Sequence, residues 1–260
     1  TTVKVKDRKD AGDFYCEYAL HTLLSESEDL SDKSLVSGDD GPLVGFLHLP
    51  DDPATYASYI QEEQEERHQE SRKVVGAALR GYFEQIKLHG GLKPDEPMRI
   101  LMTGFEPWKS IVNNPSGDFV EHVENTTEAM RYAFGDRLNE RRTVTRTSED
   151  GEVTMTYAIL DPMTGKHQEV EVYLRILPTS NESLDGSEGS IPDLLDEIDP
   201  HGVLSMGVGA DMKWRTDDHL VETTANNDRL TDNDKPNRAP EKKSRALAGE
   251  INSGSDTIKK

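Results

Sequence analysis

Three short apolar runs constrain the fold of this chain more than any other feature of its sequence. They occupy residues 43–50, 98–104 and 202–207, and each ends at a glycine or a proline. Runs of this length are typical of strands that are buried on both faces of a sheet. Because segments with helical periodicity separate them, the sequence predicts an α/β fold, with a twisted central sheet and helices on both faces.

A second kind of strand pattern lies in the middle of the chain. Residues 143–147, 152–160 and 170–177 are rich in β-branched residues, and Asp150-Gly151 forms a hairpin-turn dipeptide between the first two segments. This pattern predicts a small antiparallel β insertion over residues 143–168.

The length of 260 residues suits one sizeable α/β domain. Residues 90–97 contain two glycines and two prolines in a polar context, which is typical of a linker. We therefore interpret residues 1–260 as a single domain made of two parts, residues 3–88 and residues 98–260, joined by a linker at residues 89–97.

Charge and composition exclude several classes of function. The formal net charge of -20 disfavours binding to nucleic acid and to anionic membrane surfaces. No apolar run is long enough to span a membrane, and the N-terminus has no signal-peptide pattern. The eight histidines are scattered, and no glycine-rich phosphate loop is present, so we expect neither a metal nor a cofactor.

The one cysteine of the chain is the first candidate for chemistry. Cys16 falls in the first turn of a helix predicted over residues 11–24, where the free N–H groups stabilise a thiolate. A lone cysteine is also compatible with an inert core residue. His48, at the end of a predicted strand, is either a general base or a packed histidine. Glu222 is either a solvated strand carboxylate or the group that orients the imidazole.

A turn rich in aromatic residues follows the second apolar run. The sequence Thr103-Gly-Phe-Glu-Pro-Trp108 places Phe105 and Trp108 directly after a buried strand. The two rings are candidates for the wall of an apolar pocket, and the alternative is a tight turn with both rings in the core.

These motifs together resemble the pyroglutamyl peptidase type I family of cysteine peptidases. Ile100-Leu-Met-Thr-Gly-Phe-Glu-Pro-Trp108 and Asn114-Pro-Ser116 are similar to the opening of the family's sequence. Val221-Glu-Thr-Thr-Ala-Asn-Asn227 is similar to its glutamate segment. Ala11-Gly-Asp-Phe-Tyr-Cys16 and Gly45-Phe-Leu-His-Leu-Pro50 are similar to its cysteine and histidine segments.

The order of the segments differs from that of the family. The family order corresponds to residues 98–260 followed by residues 3–88, so the chain reads as a circular permutant in which residues 90–97 join the old termini. Compact domains tolerate such rearrangement, because their termini often lie close together on the surface. The alternative is that the residues are a stretch of a longer or processed protein.

The resemblance implies an activity and a set of site residues. Cys16 would be the nucleophile, His48 the general base and then acid, and Glu222 the residue that orients the imidazole. Phe14, Phe105 and Trp108 would hold the lactam ring of an N-terminal pyroglutamate, with Arg229 near the oxyanion. The implied partner is a peptide or small amide substrate, and the implied location is cytoplasmic.

The sequence also departs from the family. Trp108 replaces a phenylalanine, Lys109-Ser110 replace two glycines, and Glu17 puts a carboxylate beside Cys16, where it opposes thiolate formation. Two alternatives stay open. One is a cysteine amidase or deamidase with another substrate, and the other is a domain that has lost its catalytic activity and serves in binding. The oligomeric state does not follow from the sequence.

Overall fold

The three apolar runs are neighbouring parallel strands in the computed structural model of the chain. β2 (Leu43–Leu49) and β3 (Met98–Phe105) lie on either side of β7 (Gly202–Val208). All three strands are almost completely buried. The prediction of a central sheet built on these runs is therefore confirmed.

The structure describes residues 5–8, 19–20, 22–23, 26, 42–49, 61–89, 92, 95–107, 113–148, 151–184, 186–208, 210–211, 214–215, 219–222, 224–225 and 243–244. For residues 5–8, 61–67, 89 and 181, and for those from 210 onward, the description covers the backbone alone.

The main sheet has eight strands. In addition to the three above they are β1 (Val5–Arg8), β4 (Val144–Thr147), β5 (Val153–Leu160), β6 (His167–Leu177) and β10 (His219–Glu222). Their order across the sheet is β1-β10-β2-β7-β3-β6-β5-β4. The four central strands β2, β7, β3 and β6 are parallel, and β5 and β4 continue the sheet in the antiparallel sense. At the other edge, β10 is antiparallel to β2 and parallel to β1.

The predicted antiparallel insertion is an extension of this sheet. β4 and β5 form a hairpin, and β5 pairs with β6. Gly151 lies in the turn of the hairpin and has a φ of 81°. Two short ladders complete the described strands. One joins β8 (Ala210–Asp211) to β9 (Trp214–Arg215), and the other joins β11 (Thr224–Ala225) to β12 (Lys243–Ser244).

Four described helices cover the sheet: α1 (Gln61–His89), α2 (Pro115–Glu121), α3 (Val123–Phe134) and α4 (Ile191–Ile198). Two of them begin at side-chain caps. Asn114 caps α2 and Ser190 caps α4, and a proline lies in the first turn of each helix. His122 has an extended backbone and separates α2 from α3.

Two hydrophobic clusters form the core, one on each face of the sheet. On one face, α1 and α3 pack against alternate residues of the central strands. On the other face, α4 packs together with the helical residues Ala19, Leu20 and Leu23. The fold is thus a twisted α/β sheet with helices on both faces, as predicted. No helix among the described residues combines the length and apolar character needed to cross a membrane.

Candidate active site

His48 lies near the carboxyl end of β2, on the face of the sheet that α4 covers. Its side chain is 3% exposed, and its ring meets the Phe46 ring edge-on at a centroid distance of 5.2 Å. The neighbouring Val44 and Phe46 belong to the cluster on that face, whereas Leu47 and Leu49 point to the opposite cluster. Carboxyl ends of parallel strands are where ligands bind in open α/β sheets.

Glu222 is the last residue of β10, which pairs with β2. The ladder places Glu222 opposite Phe46 and Leu220 opposite His48. Directly opposed residues share a face of a sheet, as do residues two apart on one strand. The backbone register therefore assigns positions 222 and 48 to the same face, one diagonal step apart.

One row of residues runs across five strands on this face. The register joins Glu222 to Phe46, Phe46 to Ser205, Ser205 to Thr103, and Thr103 to Arg175. The Thr103 hydroxyl donates to the Ser205 Oγ at 2.8 Å, and both side chains are fully buried. This hydroxyl pair was missed by the sequence analysis, although a single serine within the apolar run of β7 was the available signal.

The next row toward the carboxyl ends contains a glycine between two rings. His48 pairs with Gly207, and Gly207 lies two residues beyond Ser205, as Phe105 lies two residues beyond Thr103. A residue without a side chain therefore separates the positions of His48 and Phe105 across the sheet.

Phe105 lies in the core beneath the turn that follows β3. Its side chain is 2% exposed, and its ring stacks on Phe46 at a centroid distance of 6.5 Å. Phe46 therefore contacts both His48 and Phe105, so the three rings form a continuous aromatic chain. The role of Phe105 in holding a lactam ring stays a prediction.

The turn after β3 is fixed by the beginning of α2. Ser116 Oγ accepts a hydrogen bond from the Phe105 N–H at 3.1 Å, and it donates to Asn114 Oδ1 at 2.8 Å. Asn114 Nδ2 in turn donates to the carbonyl oxygen of Glu106 at 3.2 Å. Because these side chains are buried, the network holds the backbone of Phe105 and Glu106 in one conformation.

The other predicted site residues lie outside the described residues: Cys16, Phe14, Trp108 and Arg229. The described residue closest to Cys16 in sequence is Ala19. It begins a set of helical residues that is buried against Val44, Phe46 and Phe105. The helical segment after Cys16 therefore packs on the same face as His48.

Arg175, on β6, is the last residue of the row that contains Thr103 and Ser205, and its side chain is a cation. The sequence analysis had assigned no role to this residue. Its side chain is 7% exposed, pairs with Glu152 at 3.0 Å, and donates to the carbonyl oxygens of Val153 and Leu174. Its guanidinium also lies 5.8 Å from the centroid of the Tyr173 ring. Burial, followed by the hydrogen bond to Glu171, raises the pKa of Tyr173 to about 12, so this phenol stays protonated at neutral pH.

Among the described residues, no group of three or more His, Cys, Asp or Glu side chains could hold a metal ion. No family model, curated protein or solved structure matches the chain. The resemblance to the pyroglutamyl peptidase family therefore stays a prediction that depends on the motifs and on the geometry above.

Proposed function

We propose that this chain is a cysteine hydrolase that removes N-terminal pyroglutamate from peptides, with Cys16 as nucleophile, His48 as general base and Glu222 as its orienting carboxylate. The observation that carries this proposal is the ladder between β10 and β2, which puts position 222 next to His48 on one face. A carboxylate at that place suits the orientation of an imidazole.

The interleaving of the strands supports the permuted arrangement of the motifs. The histidine strand β2, from the front of the chain, lies between β10 and β7, which come from the rear. A sheet that alternates strands from the two parts is expected if both parts belong to one catalytic domain. The burial of Ala19, Leu20 and Leu23 beside Phe46 is consistent with an approach of Cys16 to the same face.

The reaction would proceed in two steps through an acyl-enzyme. The Cys16 thiolate attacks the carbonyl carbon of the pyroglutamyl residue, and protonated His48 gives its proton to the leaving amine as the amide bond breaks. His48 then takes a proton from water, the hydroxide adds to the thioester, and pyroglutamate leaves as the Cys16 thiol is restored. Backbone N–H groups at the start of the cysteine helix would stabilise the oxyanion.

Release of a fluorescent amine from a pyroglutamyl amide tests this proposal. We expect release by the unaltered chain, and its loss in Cys16→Ala and in His48→Gln. The matched control is His122→Gln, because His122 is an exposed histidine on the other face of the molecule from the proposed site. A prolyl amide of the same fluorophore, which lacks the lactam carbonyl, should not be cleaved.

The two alternatives predict different results in the same assay. A cysteine amidase with another substrate would leave the pyroglutamyl amide intact while Cys16 still reacts rapidly with an alkylating reagent. A domain that has lost its catalytic activity would release no amine, and its Cys16 would react slowly with the alkylating reagent. Either of these outcomes would overturn the proposed peptidase activity.

A further inference from the structure

The outer edge of β5 is lined by β4 and by the chain segment that precedes it. Leu138 forms a bridge to Ile159, and the ladder begins again where Val144 pairs with Thr156. Between these two pairs the outer segment takes six residue steps, whereas β5 takes three. The extra residues form the 3₁₀ turn Glu140–Arg142, which therefore bulges from the edge of the sheet.

β4 is the last strand in the order of the main sheet. All four of its residues are exposed, and none of the described strands pairs with its outer side. Alternate residues of such a strand direct their backbone N–H and C=O groups away from the sheet, which makes the edge a template for another strand. An extended peptide can add to such an edge through main-chain hydrogen bonds.

This edge carries positive charge in an acidic chain. Arg141, Arg142 and Arg146 are exposed, and they make no ion pair within the part of the chain that the structure describes. Glu149 and Asp150 follow β4 in the sequence but lie outside the described residues. The nearest carboxylates among the described residues already have cationic partners. Glu140 pairs with Arg131 at 2.7 Å, and Glu152 pairs with Arg175 at 3.0 Å.

From this combination we infer that the outer edge of β4 binds an extended acidic peptide segment of another protein. The main chain of the peptide would pair with β4, and its carboxylates would contact Arg141, Arg142 and Arg146. A second copy of this edge is a poorer occupant. In a symmetric antiparallel pair, the Arg146 side chains of the two copies would come close together, and like charges across strands are destabilising.

The inference is independent of the cysteine chemistry, because none of its residues belongs to the candidate active site. The probe is a fluorescein-labelled peptide of eight residues in which glutamate alternates with valine, and the measurement is its fluorescence anisotropy on titration with the full chain. We expect saturable binding that weakens as salt is added, since exposed ion pairs are screened. A peptide with lysine in place of glutamate should not bind.

Single charge reversals locate the binding. Arg142→Glu and Arg146→Glu should each weaken binding about fivefold or more, because each replaces an attraction with a repulsion. Arg80→Glu changes the net charge by the same amount, but Arg80 lies on α1, where its half-exposed side chain pairs with Glu84 at 3.9 Å, so this variant should bind like the unaltered chain. Equal weakening by all three variants would indicate attraction to overall charge and would contradict the inference.

Strand addition is tested on the peptide, so that the protein fold is not disturbed. Two further peptides carry N-methyl groups at the odd or at the even positions, and each blocks hydrogen bonding along one edge of the peptide. We expect one of the two to lose binding and the other to keep it. Equal binding of both would exclude strand addition, and self-association of the chain that Arg146→Glu alters would assign the edge to a second copy instead.

Discussion

Gly117 lies so close to Phe105 that a Cβ atom at position 117 would be 2.3 Å from the Phe105 carbonyl oxygen. A similar approach occurs at Gly104, where a Cβ would be 2.1 Å from the carbonyl oxygen of Ser116. The two glycines thus allow the turn after β3 and the first turn of α2 to touch backbone to backbone. This contact places the Phe105 ring beneath the candidate active site.

We predict that Gly117→Ala destabilises the protein by about 3 kcal/mol or more, because backbone atoms on both sides of the contact would have to move. Urea unfolding at neutral pH measures the change. Gly165→Ala is the matched control. Gly165 has a φ of 68° but open space around it, so that variant should lose only about 1 kcal/mol. Similar losses in the two variants would contradict a steric origin.

Ser116→Ala should cost about 1–3 kcal/mol, because it leaves the buried N–H of Phe105 without its acceptor. Ser116→Thr retains a hydroxyl and should recover most of that stability. If the turn shapes the substrate pocket, the alanine variant should also raise KM for the pyroglutamyl amide more than it lowers kcat. Stability measured by urea unfolding, together with the two kinetic constants, separates the structural effect from the effect on the pocket.

The ion pair between Lys87 and Asp161 should stabilise the fold in a manner that depends on pH. The hydrogen bond from Lys87, opposed by burial and aided by the Met163 N–H, lowers the pKa of Asp161 from 3.8 to about 2. A lowered carboxyl pKa gives stability that is present above the unfolded value and is lost as the pH falls toward 2. Asp161→Asn should therefore cost about 1–2 kcal/mol at pH 6 and progressively less near pH 3.

The control for that prediction is Asp136→Asn, an exposed carboxylate for which no such partner is present among the described residues. Its free energy of unfolding at pH 6 should stay close to that of the unaltered chain. If the difference in free energy of unfolding between Asp161→Asn and the unaltered chain stays constant with pH, the ion pair is not its source.

His201, directly before β7, should give the fold a second sensitivity to acid. Burial, assisted by the Arg99 guanidinium, lowers the pKa of His201 from 6.5 to about 4. Its Nδ1 accepts a hydrogen bond from the Arg99 backbone N–H at 3.0 Å, and this bond stabilises the neutral imidazole in the folded state. Because the unfolded chain takes up a proton first, stability from this group is lost as the pH falls from about 6.5 to 4.

His201→Asn keeps an acceptor for the Arg99 N–H but does not titrate. The free energy of unfolding of this variant should therefore vary less between pH 6.5 and pH 4 than that of the unaltered chain, by up to about 3 kcal/mol. Parallel curves for the unaltered chain and for His201→Asn would contradict the assignment.

The sequence was sufficient to predict the elements that depend on local patterns. The apolar runs gave β2, β3 and β7, and the cap at Ser190 with Pro192 in the first turn is a local signal for the start of α4. The start of β6 at His167 was not predicted. Its first residues are polar and become a strand only because they pair with the end of β5.

The candidate site depends more strongly on contacts between distant residues. The sequence indicated His48 and Glu222 through their motifs, but the order of strands that puts β10 beside β2 follows from pairing across the whole chain. The buried pair of Thr103 and Ser205 likewise needs the register of β3 and β7, which no local pattern encodes. The bulge at Glu140–Arg142 was missed for the same reason.

The most direct test of the central claim is the rate of Cys16 alkylation by iodoacetamide as a function of pH. Cys16 is the only cysteine in the sequence, so every alkylation event reports on it. If His48 pairs with the thiol, the folded chain should react at pH 6 about tenfold or more faster than the urea-unfolded chain, and His48→Gln should remove that advantage. Equal rates at pH 6 for the folded chain, the unfolded chain and His48→Gln would contradict a cysteine enzyme built on Cys16 and His48.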